Sequence, residues 1–342
     1  MNLNGTNPKV YSFGYSLLML VTLIPGLLFA AEEHARLPNN WNKWGEEDQL
    51  GAANYIEPEN LISAAKLIRR GKIFSLAIPL NHEGPVFPGR LAPHHTMVLT
   101  GADYQAGLGN TIGSMKFADD YLYMPLQGST QWDGLSHAWY DEFLYNGVHQ
   151  SAIRSAPSAG GATRLGIENV KNSLVGRGIL VDIVEYKEGN LPTGYMITRK
   201  DIENTLKEQN TIVRKGDIVL IRTGVVPGYY KMTGSIDRST YMLGPQAGIG
   251  PDVIDWIDEN KIAAIAADNI TLEVFPNPDP GKNLSIHGSL LRDLGVYIGE
   301  IWWLEELAGD CYEDGIYEFF LAAQPLNITG AVGSPINPVA IK

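Results

Sequence analysis

The chain reads as an α/β protein on three observations. Short apolar runs rich in β-branched residues recur along it, stretches with helix-start signals lie between them, and each such stretch yields to a strand-like run within a few residues. The strand-like runs are Ile73 to Leu80, Ile179 to Ile183, Ile218 to Arg222 and Ala263 to Ala267. The first helix is expected over Pro58 to Arg70, with Leu61, Ala65, Leu67 and Ile68 as its apolar face. Thr198-Arg199-Lys200-Asp201 opens a second, running to about Glu208. A third spans Pro251 to Glu259, where proline suits a first turn because its missing N–H would be unpaired anyway. No internal repeat, low-complexity tract or long linker interrupts the pattern, so residues 32–342 are expected to form one domain.

Composition supports an enzyme-sized globular protein, since 342 residues with 44% hydrophobic content can bury a substantial core. The formal net charge is −12, and −13 once Lys9, the one charged residue of the first 31, is removed. That balance disfavours nucleic acid or an anionic membrane surface as a partner and leaves small molecules. Residues 1–31 differ from the rest: a polar start precedes Leu17 to Ala31, an apolar run broken by Pro25-Gly26 and ending in small residues before Glu32-Glu33. The run is short for the roughly 20 residues of a spanning helix, so it reads as a secretory signal, with a retained membrane anchor as the alternative. A secreted or periplasmic protein is expected. Cys311 is the sole cysteine, which rules out an intramolecular disulfide and reads as a small packing residue. The sequons at Asn269, Asn283 and Asn327 matter only in a eukaryotic secretory pathway.

Chemistry concentrates in Gln127-Gly128-Ser129-Thr130-Gln131-Trp132-Asp133-Gly134-Leu135-Ser136-His137. The preceding run, Tyr121 to Leu126, suits a strand that Gly128 would break, so the polar groups would project from a strand end. Asp133 and His137 could reach one metal ion or one water from there; the same spacing also fits a hydrogen-bonded loop. Far downstream, Leu284 to Glu300 sets His287 before a short helical pattern and Glu300 after a glycine-bounded strand pattern.

Together these segments resemble the metal-dependent cyclase family that includes kynurenine formamidase and isatin hydrolase, whose signature is His-x-Gly-Thr-His-x-Asp-x-Pro-x-His followed by a distant His and Glu. Thr130, Asp133, His137, His287 and Glu300 match it. Gln127 and Gln131 replace the two leading histidines, Ser129 replaces the glycine and Leu135 the proline. The resemblance runs from about Trp41 to the end, helped by Gly84-Pro85-Val86-Phe87-Pro88-Gly89-Arg90 and Gly333-Ser334-Pro335-Ile336-Asn337-Pro338. It implies a swivelling β/α-type cyclase fold with a mixed central sheet and a homo-oligomer, a dimer or tetramer.

The resemblance also implies metal ligands. Asp133, His287 and Glu300 offer one nitrogen and two charged oxygens, with Gln131 as the fourth ligand and Gln127 as a further metal-site residue, both through amide oxygens. Amide oxygens suit hard cations better than they suit Zn2+, and one divalent ion, Mn2+ or Zn2+, is expected rather than two. A site that lost its metal and became a binding pocket is the competing reading. His137, with an imidazole that titrates in the needed range, is the candidate proton shuttle, though it could equally be a ligand or a polar core residue. Ser129 and Thr130 could orient ligands or simply build a turn.

Further candidates surround the motif. Of His94-His95 at most one could enter a pocket, because adjacent strand residues face opposite ways; His34, His82 and His149 read as surface or structural. Trp132, Trp139, Tyr140, Phe143, Trp302 and Trp303 could wall a pocket for a flat ligand or pack the core. Asp268 and Glu273 are expected to support the ligands from a strand-end loop. The reading is a metal-dependent hydrolase that opens a small cyclic amide, lactone or aryl formamide. A non-catalytic small-molecule-binding protein and a metal-dependent lyase or cyclase are the alternatives.

Overall fold

The computed structural model describes residues 38–155, 160–189 and 191–342, with backbone only at 235–237. The leader at 1–31 and His34 lie outside the described residues. From Pro38 to Lys342 the chain forms one compact unit, and among the described residues no helix is long and apolar enough to cross a membrane.

A nine-stranded mixed sheet organises this unit. In chain order its strands are β1 (Ile73–Ser75), β2 (Gln131–Asp133), β3 (Val175–Asp182), β4 (Ile218–Arg222), β5 (Ala264–Ala267), β6 (Tyr297–Glu300), β7 (Glu318–Ala322), β8 (Gly333–Pro335) and β9 (Val339–Ile341). Across the sheet they run β1-β9-β7-β3-β4-β5-β6-β2-β8. The middle four, β3 to β6, are mutually parallel and almost wholly buried, as expected of strands covered on both faces. Antiparallel strands flank them on each side.

β3 overlaps its expected run but starts four residues earlier, at Val175, and ends at Asp182, because Ile183 opens a short helix capped by Asp182. The expected strands β4 and β5 and the helix Arg199–Glu208 fall where their sequences place them. Thr198 caps that helix, accepting from the Asp201 N–H while the Asp201 carboxylate accepts from the Thr198 N–H. Four further expectations are corrected. The run Ile73 to Leu80 is ladder-paired only to Ser75, because partner β9 is preceded by Pro338, which has no N–H to donate. The helix from Pro58 ends at Ala65, and the residue it buries is Ala64 rather than the expected face, with Leu61 and Ile68 exposed. The third helix begins at Val253, leaving Pro251 in the preceding turn.

The fourth concerns Tyr121 to Leu126. Asp119–Tyr123 pairs with His94–Leu99 in a separate two-stranded ribbon, and Pro125 stops the run before the motif. Met97, Val98, Tyr121, Leu122 and Tyr123 of this ribbon are exposed. The strand that carries the site is instead β2, inside the motif.

Candidate metal centre

β2 is short but fixed on both edges. Asp133 sits opposite Ile298 and Gly333, and Gln131 opposite Glu300 and Pro335. Strand alternation puts Gln131 and Asp133 on one face, with Glu300 beside Gln131, and turns Trp132 to the other. There Trp132 packs edge-on against Trp302, ring centroids 5.0 Å apart, over Gly299, where a side chain would collide with both rings. Both tryptophans are fully buried, and their N–H groups donate to the backbone oxygens of Ala323 and Gln131. They are core, not pocket wall.

His287 arrives from the other side. Its short helix Ser285–His287 leads into a π-helical segment, Gly288–Leu294. The buried Glu273 carboxylate accepts from the His287 N–H at 3.0 Å and pairs with its Nδ1 at 2.7 Å. That partner sets the ring so that Nε2 faces Glu300, 3.1 Å from Oε1. Tyr140 packs against Gly288, which has no room for a Cβ, and hydrogen-bonds Asp293.

The result is that one ligand atom each of Asp133, His287 and Glu300 lies within 4.8 Å of the others, all three residues buried. Gln131 adjoins them: its Nε2 donates to Glu300 Oε2 at 2.7 Å, and its Oε1 is buried with no partner. Both carboxylate oxygens of Asp133 are likewise buried without a hydrogen bond. An ionised carboxylate so placed is costly unless something cationic completes it. A divalent ion fits this donor set of one imidazole and hard oxygens. Gln127 Nε2 lies against Gly333, the residue opposite Asp133, and is buried with no partner.

The electrostatics follow from burial. Desolvation lifts the Asp133 carboxyl to about 6, against the opposing pull of His137. Burial disfavours a charged His287 ring, but its hydrogen bonds to Glu273 and Glu300 outweigh that and raise it to about 10. His137, held by the Gly134 turn, places Nε2 3.7 Å from Asp133 Oδ1 and keeps its side chain 20% exposed. Burial lowers its pKa below 6.5, with Asp133 pulling the other way.

Thr130 proves to be an anchor: its hydroxyl accepts from the Ile78 N–H and donates to the Ile301 carbonyl. Ser129 is buried beside it. Asp268 does not reach His287 but accepts from Thr223 and the Gly224 N–H, holding the turn after β4. His94 and His95 are exposed on the ribbon, His95 paired with Asp120. Trp139 is bonded to Gln150, Trp303 is packed on Tyr230, and Phe143 is partly exposed against His149. His82 and His149 are exposed, and Cys311 is buried.

One residue near the site was not among the sequence candidates. Arg90 donates to the Gln127 carbonyl at 2.8 Å, and its charge acts on both Asp133 and His137. The signal was on hand, since Arg90 is the last residue of the Gly84 to Arg90 stretch that supports the resemblance.

Comparison with known proteins agrees with this architecture. The Cyclase family model matches residues 74–274, more than half of the chain. A solved structure described as a novel cyclase is 61% identical, covering 89% of this chain and 100% of its own, with a TM-score of 0.85. Isatin hydrolase A from Labrenzia aggregata, bound to benzyl benzoate, is 17% identical over 82% of this chain and 96% of its own, at a TM-score of 0.57. An isatin hydrolase bound to the product analogue thioisatinate is 16% identical over 83% and 98%, also at 0.57. At those identities the isatin hydrolases share the fold alone. No curated protein matches the sequence. The extent of the family match and the 61% identity over a whole solved relative make this chain a member of the cyclase family.

Proposed function

We propose that this protein is a metal-dependent hydrolase that opens the C–N or C–O bond of a small cyclic amide, lactone or aryl formamide. The observation that carries the reading is the pair of unpartnered Asp133 oxygens facing His287 and Glu300. Asp133, His287 and Glu300 would hold one divalent ion, with Gln131 Oε1 as a further oxygen. Such an ion, Mn2+ or Zn2+, lowers the pKa of a water and polarises a carbonyl.

The chain's own groups supply the rest. Glu273 holds the His287 ring in place through Nδ1. His137, neutral at pH 7 because burial depresses its pKa, accepts the proton of the attacking water and returns it to the leaving nitrogen or oxygen. Its partial exposure leaves it able to meet a substrate. The nature of the reading is tested by metal analysis of the purified protein, then a panel of lactones, cyclic imides and aryl formamides with Mn2+ and Zn2+ in parallel. Metal-dependent gain of one water in a product mass supports it; no bound metal after reconstitution and no hydrolysis across the panel would reject it.

Export and self-association belong to the same reading. Cleavage near Ala31 or Glu32, read by N-terminal sequencing, tests the first, and intact Met1 in a membrane fraction would favour an anchor. The apolar residues exposed on the ribbon support a homo-oligomer, which light scattering tests.

A further inference from the structure

A cavity of about 610 Å³ opens between the loop His82–Ala92 and the helices Val225–Lys231 and Ser235–Leu243. That size is in the range of small-molecule sites. Its walls include half-buried Phe87 together with Tyr229 and Met242, which belong to a small separate core with Ile78, Val226, Ile270 and Ile301. Two guanidiniums, Arg90 and Arg238, line it as well.

Both differ from most arginines of this acidic chain, although Arg69 and Arg154, which do not line this cavity, are likewise without an ion pair among the described residues. Arg177, Arg199 and Arg222 each pair with carboxylates, whereas Arg90 and Arg238 make no ion pair among the described residues. Arg90 lies over the Phe87 ring, 5.3 Å from its centroid, and gives one N–H to the Gln127 carbonyl. Arg238 lies over Tyr229 at 5.4 Å and donates to the Met232 carbonyl. Each guanidinium carries five N–H groups, so most of their donors remain for a ligand. The acidic residue of the lining, Glu83, is exposed and pairs with neither. Arg90 also links the cavity to the metal centre, since it bonds the motif backbone at Gln127.

We propose that this cavity binds the carboxylate of an aryl-bearing organic acid through Arg90 and Arg238, so that the substrate carries an anionic group besides its scissile bond. Half-buried Phe87 supplies apolar area for a ring, and planar guanidinium forks match a carboxylate in a way that a neutral amide cannot. As a statement about substrate this rests on the hydrolase reading, but the binding itself does not.

The test is therefore made on chelator-stripped full-length protein, where neither metal ligation nor turnover contributes. Binding of phenylacetate and 1-naphthylacetate is compared by titration calorimetry with that of their neutral amides. The acids are expected to bind at least about tenfold tighter than the amides, with that preference weakening as salt rises. Arg90→Gln and Arg238→Gln should each weaken the acids about tenfold or more and leave the amides unchanged, while Arg90→Lys, which keeps the charge, should recover part of the loss. Equal binding of acids and amides, no binding of either acid, or acid affinity unmoved in both glutamine variants would overturn the proposal. Acid binding without any hydrolysis would instead count against the hydrolase reading alone.

Discussion

At Asp217 and at Asp133 the same sheet buries a carboxylate, and in both places burial lifts the group to about 6, yet the surroundings differ. Asp217 accepts from Arg177 Nη1 at 2.6 Å and from the Arg214 N–H at 2.7 Å, while Arg177 also pairs with Glu318 and gives a third N–H to the Ile212 carbonyl. Asp133 has His137 at 3.7 Å, another carboxylate in Glu300, and no hydrogen bond to either oxygen. Asp268 falls with Asp217: buried, raised to about 6, and bonded to Thr223 and Gly224. A perturbed carboxyl is thus common to all three, and what singles out Asp133 is that the chain leaves it incomplete.

Exchanging each residue for alanine should separate the two situations. Asp133→Ala is expected to remove bound metal and all measurable hydrolysis while the fold persists, because no internal bond is broken. Asp217→Ala should keep the metal but lose about 3–5 kcal/mol of stability, since Arg177 is left buried with one fewer anion. Metal content and urea unfolding of the two variants read both effects. Collapse of Asp133→Ala with full metal retention in the remaining folded fraction would make the regions alike.

The next effect concerns His137. His137→Ala should retain metal and lower kcat by about 10²- to 10⁴-fold. Its pKa in the folded protein lies below 6.5, so the neutral form that accepts a proton persists to lower pH than an exposed histidine would allow. The acidic limb of the wild-type pH–rate profile should therefore fall below 6.5 and flatten in the variant. A limb unchanged by the substitution would take His137 out of proton transfer.

How much of this was legible beforehand divides along similar lines. The parallel strands announced themselves because strands covered on both faces must be apolar throughout. Asp133, His287 and Glu300 were readable through the family pattern, and Glu273 through its position after β5. The edge of the sheet was not. β2 carries Gln131 and Asp133 inward and is only three residues long, so no apolar alternation marks it, while the more strand-like Tyr121 to Leu126 went to the exposed ribbon. Trp132 and Trp302 have the composition of a pocket wall, and only the register that sets Trp132 opposite Gly299 shows them to be core. Arg90 was missed because an arginine without an anion has no signature in one dimension.

Smaller changes sharpen the same contrast. Glu273→Gln keeps a hydrogen-bond partner on His287 but removes its charge, and should weaken metal affinity about 10- to 100-fold without unfolding the protein. Unaltered affinity would mean that Glu273 acts only as a cap for the helix Ser285–His287. Gln131→His adds an imidazole beside Glu300 and should shift preference toward Zn2+ over Mn2+ in a competition assay; an unchanged ratio would place the Gln131 side chain outside the coordination sphere.

The central claim is that the incomplete carboxylate at Asp133 is completed by a divalent ion shared with His287 and Glu300. Calorimetric titration of Mn2+ and Zn2+ into chelator-stripped protein tests it most directly, with Asp133→Asn and Asp217→Asn run alongside. One ion per chain in the wild type and in Asp217→Asn, with none in Asp133→Asn, is the predicted result. Absence of binding in the wild type, or a site that survives in Asp133→Asn with undiminished affinity, would contradict it.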